Sequence, residues 1–204
     1  MALKPLKIAL TGSIACGKSL FAKFLRELGV QTLDADDIVH ELIPTEERRR
    51  LAKIVFSDPA ARKALEARIH PVVRDRIERW FHDVSNARVS RSSGNPRSSN
   101  AIAGSKSFDL PTIRIAIIPL LFECKWDGDY DIILCISSPV EEQIRRMVEI
   151  RGMTRIEAEA RLSAQLSQEE KLARSHYVVV NDSTPEHLRE EAVRCVEWLR
   201  ARQH

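Results

Sequence analysis

Apolar residues along the chain fall into short runs separated by amphipathic stretches. Lys7 to Thr11 is a brief apolar run fit for burial on both faces, which predicts a strand. Ser19 to Gly29 follows, with Leu20, Phe21, Phe24, Leu25 and Leu28 at helical spacing and Gly29 as the stop. Val30 to Leu33 predicts a second strand, and Asp34-Ala35-Asp36-Asp37 stands at its C-terminal end. Ile38 to Asp83 reads as helical. Ile38, Val39 and Leu42 form one apolar face, Pro44 interrupts, and Glu46 to Phe56 is a charged amphipathic stretch. Asp58 as N-cap and Pro59 at the first helical position open a long helix. Its apolar face carries Leu65, Ile69, Val72, Val73, Ile77, Trp80 and Phe81, and Pro71 predicts a kink or a division near His70.

Ile113 to Ile118 and Tyr130 to Ile136 predict two further strands. Ser137-Ser138-Pro139 opens a helix over Val140 to Ile150 that ends at Gly152. Thr154 with Glu157 three residues later forms a capping box for the next helix. Tyr177 to Val180 is the last predicted strand. Pro185 to Arg202 is a closing helix with Leu188, Val193, Val196 and Leu199 inward. Asn86 to Asp109 is rich in Ser, Arg, Gly and Asn, which predicts a mobile surface loop. A basic tether for RNA or an acidic partner is the alternative for that stretch. Strands alternating with helices predict a parallel sheet of about five strands with helices on both faces, a three-layer α/β/α arrangement.

Between the first strand and the first helix lies Gly12-Ser13-Ile14-Ala15-Cys16-Gly17-Lys18-Ser19. This is the phosphate-binding loop G-x-x-x-x-G-K-[ST] in the strand–loop–helix context it needs. Glycines at 12 and 17 allow backbone angles that let successive N–H groups converge on an anion. The helix N-terminus adds unpaired donors and positive potential. Lys18 is expected to reach the β- and γ-phosphates, and the Ser19 hydroxyl to ligate Mg²⁺. The fold class is therefore expected to be that of the P-loop NTPases. Asp34 to Asp37, at the end of a parallel strand, would face the bound phosphates across the crevice.

Composition narrows the class without deciding it. With 44% hydrophobic and 30% charged residues, the 204-residue chain reads as an ordinary globular domain with room for an accessory lobe. A net charge of +3 suits an anionic small molecule and is too weak to argue for nucleic acid. No apolar run is long enough to cross a bilayer, and Met1 to Lys7 lacks a secretory pattern. Cys16, Cys124, Cys135 and Cys195 are widely spaced, with no C-x-x-C pair, so reduced thiols and a cytoplasmic location are expected. Cys16, beside Lys18 at a helix start, is expected to be the alkylation-sensitive thiol, protected by ATP.

A phosphate loop alone fits kinases, GTPases and transport ATPases. The N-K-x-D base reader of GTPases is missing, since the last strand runs into Asn181-Asp182-Ser183-Thr184. Nothing resembles an ABC signature. An early carboxylate pair, a helical side lobe and arginines on late helices suit a small-molecule kinase, because phosphoryl transfer is catalysed by positioning and charge neutralisation.

Taken together, the motifs resemble the dephospho-CoA kinase family along most of the chain. The matching residues are Leu10-Thr11-Gly12 with Gly17-Lys18-Ser19, Asp34-Ala35-Asp36, Val55-Phe56-Ser57-Asp58-Pro59, Leu65-Glu66, His70-Pro71 and Pro119-Leu120-Leu121-Phe122-Glu123. Gln143 with Arg146, Gly152-Met153, Ala160-Arg161, Gln165, Glu170-Lys171 and Asn181-Asp182 complete the ordered set. The resemblance implies that ATP, with Mg²⁺, phosphorylates the ribose 3′-hydroxyl of dephospho-CoA. It implies Asp36 as the group that takes the hydroxyl proton, with Asp34 and Asp37 competing for that role. Lys18, Arg146 and Arg161 would serve the phosphates. Gly12 to Leu20, with Asn181 and Asp182, would bind ATP. Asp34, His70 and Glu123 would line the acceptor site.

The division implied is a core of residues 1–36, 110–145 and 175–204, a helical acceptor lobe 37–85, a flexible loop 86–109 and a helical lid 146–174. A monomer or weak homo-oligomer without a membrane or nucleic-acid partner is expected. Two other readings stay open: a P-loop kinase for another nucleotide or small alcohol, and a low-turnover ATP-binding paralogue acting through its basic loop. Departures from the family pattern are specific. Ser13 and Ala15 stand where glycine is usual, and Leu20 where Ser or Thr is usual. The second lid arginine is Arg151, one residue beyond its usual place, which Ile150 takes. A segment that family members carry is missing between Leu42 and Glu46.

Overall fold

The computed structural model describes residues 6–44, 58–83 and 112–202. The predicted stretch over Glu46 to Phe56 and the predicted loop 86–109 lie outside the described residues. Strands β1 (Ile8–Gly12), β2 (Gln31–Asp34), β3 (Arg114–Ile117), β4 (Ile132–Ser137) and β5 (Tyr177–Val180) form one parallel sheet in the order β2-β3-β1-β4-β5. Register runs Ala9 to Ala116 on one side of β1 and Leu10 to Leu134 on the other. Because all strands point one way, their C-terminal ends share one edge. The phosphate loop, Asp34, Pro119, Ser138 and Asn181 leave the sheet there, and this shared edge builds the site.

Alternation along the strands sends side chains to two faces. Ile8, Leu10, Ile115, Ile117, Leu134 and Ile136 face helices α1 (Lys18–Glu27) and α7 (Pro185–Arg200), with Phe21, Leu25, Leu188 and Leu199 buried against them. Ala9, Ala116 and Ile133 face the other way, toward α2 (Ala35–Leu42) and α3 (Pro59–His82). Strand alanines on that face leave room for Phe81, Phe122 and Trp126. Burying a side chain of this size is worth about 1.5–3 kcal/mol, so both faces hold the sheet.

The long helix α3 runs unbroken through Pro71, against the expected division. Proline removes a single N–H from the ladder. Contacts on both sides keep the axis in place: His70 packs edge-on against Trp126 at 5.1 Å, and Val73, Ile77 and Phe81 are buried. Val72, expected on the apolar face, is exposed. The far end of α3 is held by Arg114, which is buried on β3. Its guanidinium donates to the carbonyl oxygens of Trp80, Phe81 and Asp83 and to Gln31 Oε1. A cation on the last carbonyls of a helix also complements the negative end of its dipole.

Helices α4 (Val140–Arg151), α5 (Arg155–Ser163) and α6 (Gln168–Ala173) lie between β4 and β5. Gly152 ends α4, and Thr154 and Glu157 make the expected capping box on α5. On α7 the inward set is Leu188, Ala192, Cys195, Val196 and Leu199, and Val193 faces solvent instead. Burial pushes the thiols of Cys135 and Cys195 up to about 11 and about 12, so neither is a thiolate at neutral pH.

Candidate active site

A cleft of about 740 Å³ opens at the C-terminal edge of the sheet. Residues Ile14 to Leu20 form its floor. Asp34, Asp36, Pro119 and Leu120 make one wall, and Asn181, Ser183 and Pro185 the opposite end. Arg145, Arg146, Ile150 and Arg151 of α4 border it with Gln165.

The loop geometry explains its residue types. Gly12 has φ 143°, and a Cβ there would sit 2.3 Å from the carbonyl oxygen of Ile136. Gly17 has φ 103°, and its Cβ would lie 2.2 Å from Asn181 Nδ2. Ala15 also takes a left-handed conformation, φ 58°. A side chain there costs about 1–2 kcal/mol, which accounts for the usual preference for glycine at that place.

Side chains hold this backbone from several directions. Lys18 Nζ donates to the carbonyl oxygens of Gly12 (2.6 Å) and Ser13 (2.8 Å). Asn181 Nδ2 donates to the Cys16 carbonyl at 2.9 Å, while Asn181 itself is buried. Arg146 donates to the Ala15 carbonyl and to Ser138 Oγ, both at 3.2 Å. The Ile14 N–H donates to Gln165 Oε1 at 3.0 Å. Ser19 is exposed at the start of α1. The Cys16 thiol is fully buried, 3.7 Å from Lys18 Nζ, so a reagent reaches it only when the loop opens.

On the facing wall, Asp34 ends β2 and caps α2: its Oδ1 accepts from the Asp36 N–H at 2.9 Å. Burial, with Asp36 and Asp37 nearby, raises the Asp34 pKa, against the opposing pull of the Asp36 amide and Lys18. Asp36 is exposed on the first turn of α2 and lines the cleft. Thr11 Oγ1 donates to the Pro119 carbonyl at 3.3 Å, joining this wall to the end of β1.

Other expected site residues lie elsewhere. His70 packs on Trp126, away from the cleft lining. Glu123 is turned from the cleft: its Oε1 accepts from the Leu166 N–H at 3.0 Å and lies 2.8 Å from Nζ of the buried Lys171. Arg161 is exposed on α5 and Asp182 exposed beyond β5, neither in the cleft lining. Of the arginines on α4, Arg145 is neutralised by Glu142 at 2.8 Å and Glu149 at 2.6 Å. Arg151 lines the cleft and, among the described residues, has no ion pair. Sequence reading overlooked Arg145, Ser183 and Pro185 as cleft residues. The i−3 and i+4 glutamates around Arg145 were a usable signal that its charge is spent locally.

Comparison with known proteins agrees with the geometry. The dephospho-CoA kinase family model matches residues 6–47 and 102–187, more than half of the chain. A dephospho-CoA kinase of Symbiobacterium thermophilum is 34% identical over 85% of this chain and 73% of its own length. One from Thermus thermophilus is 34% identical, covering 94% of this chain and 90% of that protein. A crystal structure of a Thermus thermophilus protein superposes with a TM-score of 0.69 at 32% identity, covering 95% of this chain and 97% of that one. The five-stranded parallel sheet, the phosphate loop at the end of β1 and the family match converge: the chain belongs to the dephospho-CoA kinase family.

Proposed function

We infer that this chain performs the reaction its family is named for: transfer of the γ-phosphoryl group of ATP to the ribose 3′-hydroxyl of dephospho-CoA, giving CoA and ADP. One observation supports this most directly. A phosphate loop at the end of β1 and two carboxylates at the end of β2 line a single cleft bordered by α4 arginines. In this reading the loop amides and Lys18 receive the phosphates, and Lys18 leaves the Gly12 and Ser13 carbonyls to do so. Asp34 fixes the start of α2 and so aims Asp36. The Asp36 carboxylate takes the proton as the 3′-oxygen bonds to the γ-phosphorus and the β–γ bridge breaks. Arg146 and Arg151 oppose the charge spread over the transferred group. His70 and Glu123 act from outside the cleft lining, His70 by packing on Trp126 and Glu123 by holding the Leu166 amide and Lys171. Arg161 and Asp182, also outside it, are read as meeting the phosphates and ATP once the nucleotide is bound.

Kinases of this kind use ATP with a divalent cation, here read as Mg²⁺. Among the described residues no cluster of three or more His, Cys, Asp or Glu could hold a metal. We read the cation as carried in with the nucleotide and held by phosphate oxygens, water and the exposed Ser19 hydroxyl. When bound, it would neutralise charge on the β- and γ-phosphates. No helix among the described residues is long and apolar enough to cross a membrane. A cytoplasmic enzyme, monomeric or weakly self-associating, and the division into core, acceptor lobe, loop and lid complete the reading.

The test is product identity. ATP and dephospho-CoA are incubated with the protein and the products weighed by mass spectrometry, with AMP, UMP and shikimate as competing acceptors. CoA and ADP in equal amounts are expected. Phosphorylation of another acceptor, or tight ATP binding without turnover on any of them, would overturn the reading.

A further inference from the structure

The short stretch from Gln165 to Lys171 bonds to the phosphate loop, to the turn after β3 and to the start of α4. Gln165 Oε1 accepts from the phosphate-loop amide of Ile14 at 3.0 Å. Leu166 N–H and Lys171 both meet Glu123, on the turn that follows β3. Gln168 Oε1 accepts from the Ser138 N–H at 3.3 Å and from Gln143 Nε2 at 3.0 Å. Gln143 Nε2 also donates to the Ser138 carbonyl at 2.7 Å. Ser138 Oγ donates to the Asn181 carbonyl at 2.7 Å and accepts from Arg146 at 3.2 Å. The two legs that carry α4 and α5 are therefore tied to each other at Ser138 and tied to the phosphate loop at Ile14. Gln143 is buried with its Oε1 unpartnered among the described residues, as in a junction less fully bonded than a rigid core.

We propose that Gln165 and Gln168 are positioning residues that make ordering of the phosphate loop and closure of α4 and α5 one event. Neither side chain enters the chemistry. Gln165 passes a shift of the Ile14 amide to the outgoing leg, and Gln168 passes it across to the incoming leg through Gln143 and Ser138. A lid that closes only over an ordered loop keeps water from the γ-phosphoryl group until the acceptor is in place. This rests on the phosphotransfer reading above.

The test compares Gln165→Met, Gln168→Met and Gln168→Glu. Methionine keeps the length and removes the acceptor oxygen, whereas glutamate keeps the oxygen. ADP released per CoA formed, and ATP hydrolysis without acceptor, are measured beside thermal unfolding. Both methionine variants should raise the ADP:CoA ratio several-fold, and Gln168→Glu should return it to the wild-type value. Ratios at the wild-type value in both methionine variants would overturn the proposal, whatever happened to overall rate. Hydrogen exchange of the unmodified protein serves if the variants fail to fold. On adding ATP, Ile14, residues 165–168 and α4 should gain protection together, and protection of the loop without α4 would overturn the idea. Joint protection in a protein that makes no CoA would sink the assigned acceptor and leave the coupling standing.

Discussion

The two walls of the cleft are built on opposite principles. On the phosphate wall, side chains serve the backbone. Lys18, Asn181 and Arg146 grip carbonyl oxygens of Gly12, Ser13, Cys16 and Ala15, and Gln165 takes the Ile14 amide. On the acceptor wall, the backbone serves side chains. The Asp36 amide holds the Asp34 carboxylate, and the first turn of α2 presents Asp36. In the proposed function the first wall would recognise phosphate through peptide groups that any sequence supplies, provided the loop can adopt the angles. The second depends on particular functional groups. It follows that the phosphate wall should be sensitive to shape and the acceptor wall to charge.

Substitutions can break or sharpen that contrast. The largest effect is expected from Lys18→Ala, which removes both a loop tie and a phosphate charge. kcat/KM should fall by about 10³-fold or more, measured by coupled ADP release. Asp36→Asn keeps the shape and removes the charge, so kcat should drop about 10²-fold or more with little change in ATP affinity. A near-normal kcat would remove Asp36 as the proton acceptor. Asn181→Leu tests shape on the other wall, leaving the buried Cys16 carbonyl without its donor. It should cost about 1–3 kcal/mol in chemical denaturation and raise KM for ATP more than it lowers kcat.

Ala15→Gly relieves a left-handed alanine and should stabilise by about 1 kcal/mol, seen as a higher denaturation midpoint. Asp34→Asn is the subtlest. The folded protein holds the Asp34 proton more tightly than the unfolded chain, so stability from this group is present below its ordinary value of 3.8 and declines as pH rises through the raised one. Asparagine caps a helix equally well. The variant should match wild type at low pH and exceed it at neutral pH. A constant difference across the titration would show that the carboxylate is not strained by burial.

Legibility followed the same division. The phosphate wall could be read from eight consecutive residues, because glycines and a lysine at fixed spacing describe a backbone shape. Strands, α5's capping box and the last strand were equally legible, since period and caps are local. Contacts between distant segments were not. Glu123 looked like an acceptor residue, yet its carboxylate meets Lys171 and the Leu166 amide. Asn181 reads as an ATP ligand, while the structure also shows it clipping the loop. Pro71 signals a break that the packing of His70 on Trp126 before it and the burial of Val73 and Ile77 after it override. Val193 has the right spacing for the inner face and still faces solvent, because Ala192 and Cys195 fill the close approach of α7 to the sheet.

Arg114 has a bearing on how this protein could be altered. By seizing the last carbonyls of α3 from the first residue of β3, it staples the two ends of the intervening 84–111 connection to one another. The direction of the helix is then set from the sheet by one buried guanidinium, so a change at position 114 should be felt at the far end of α3.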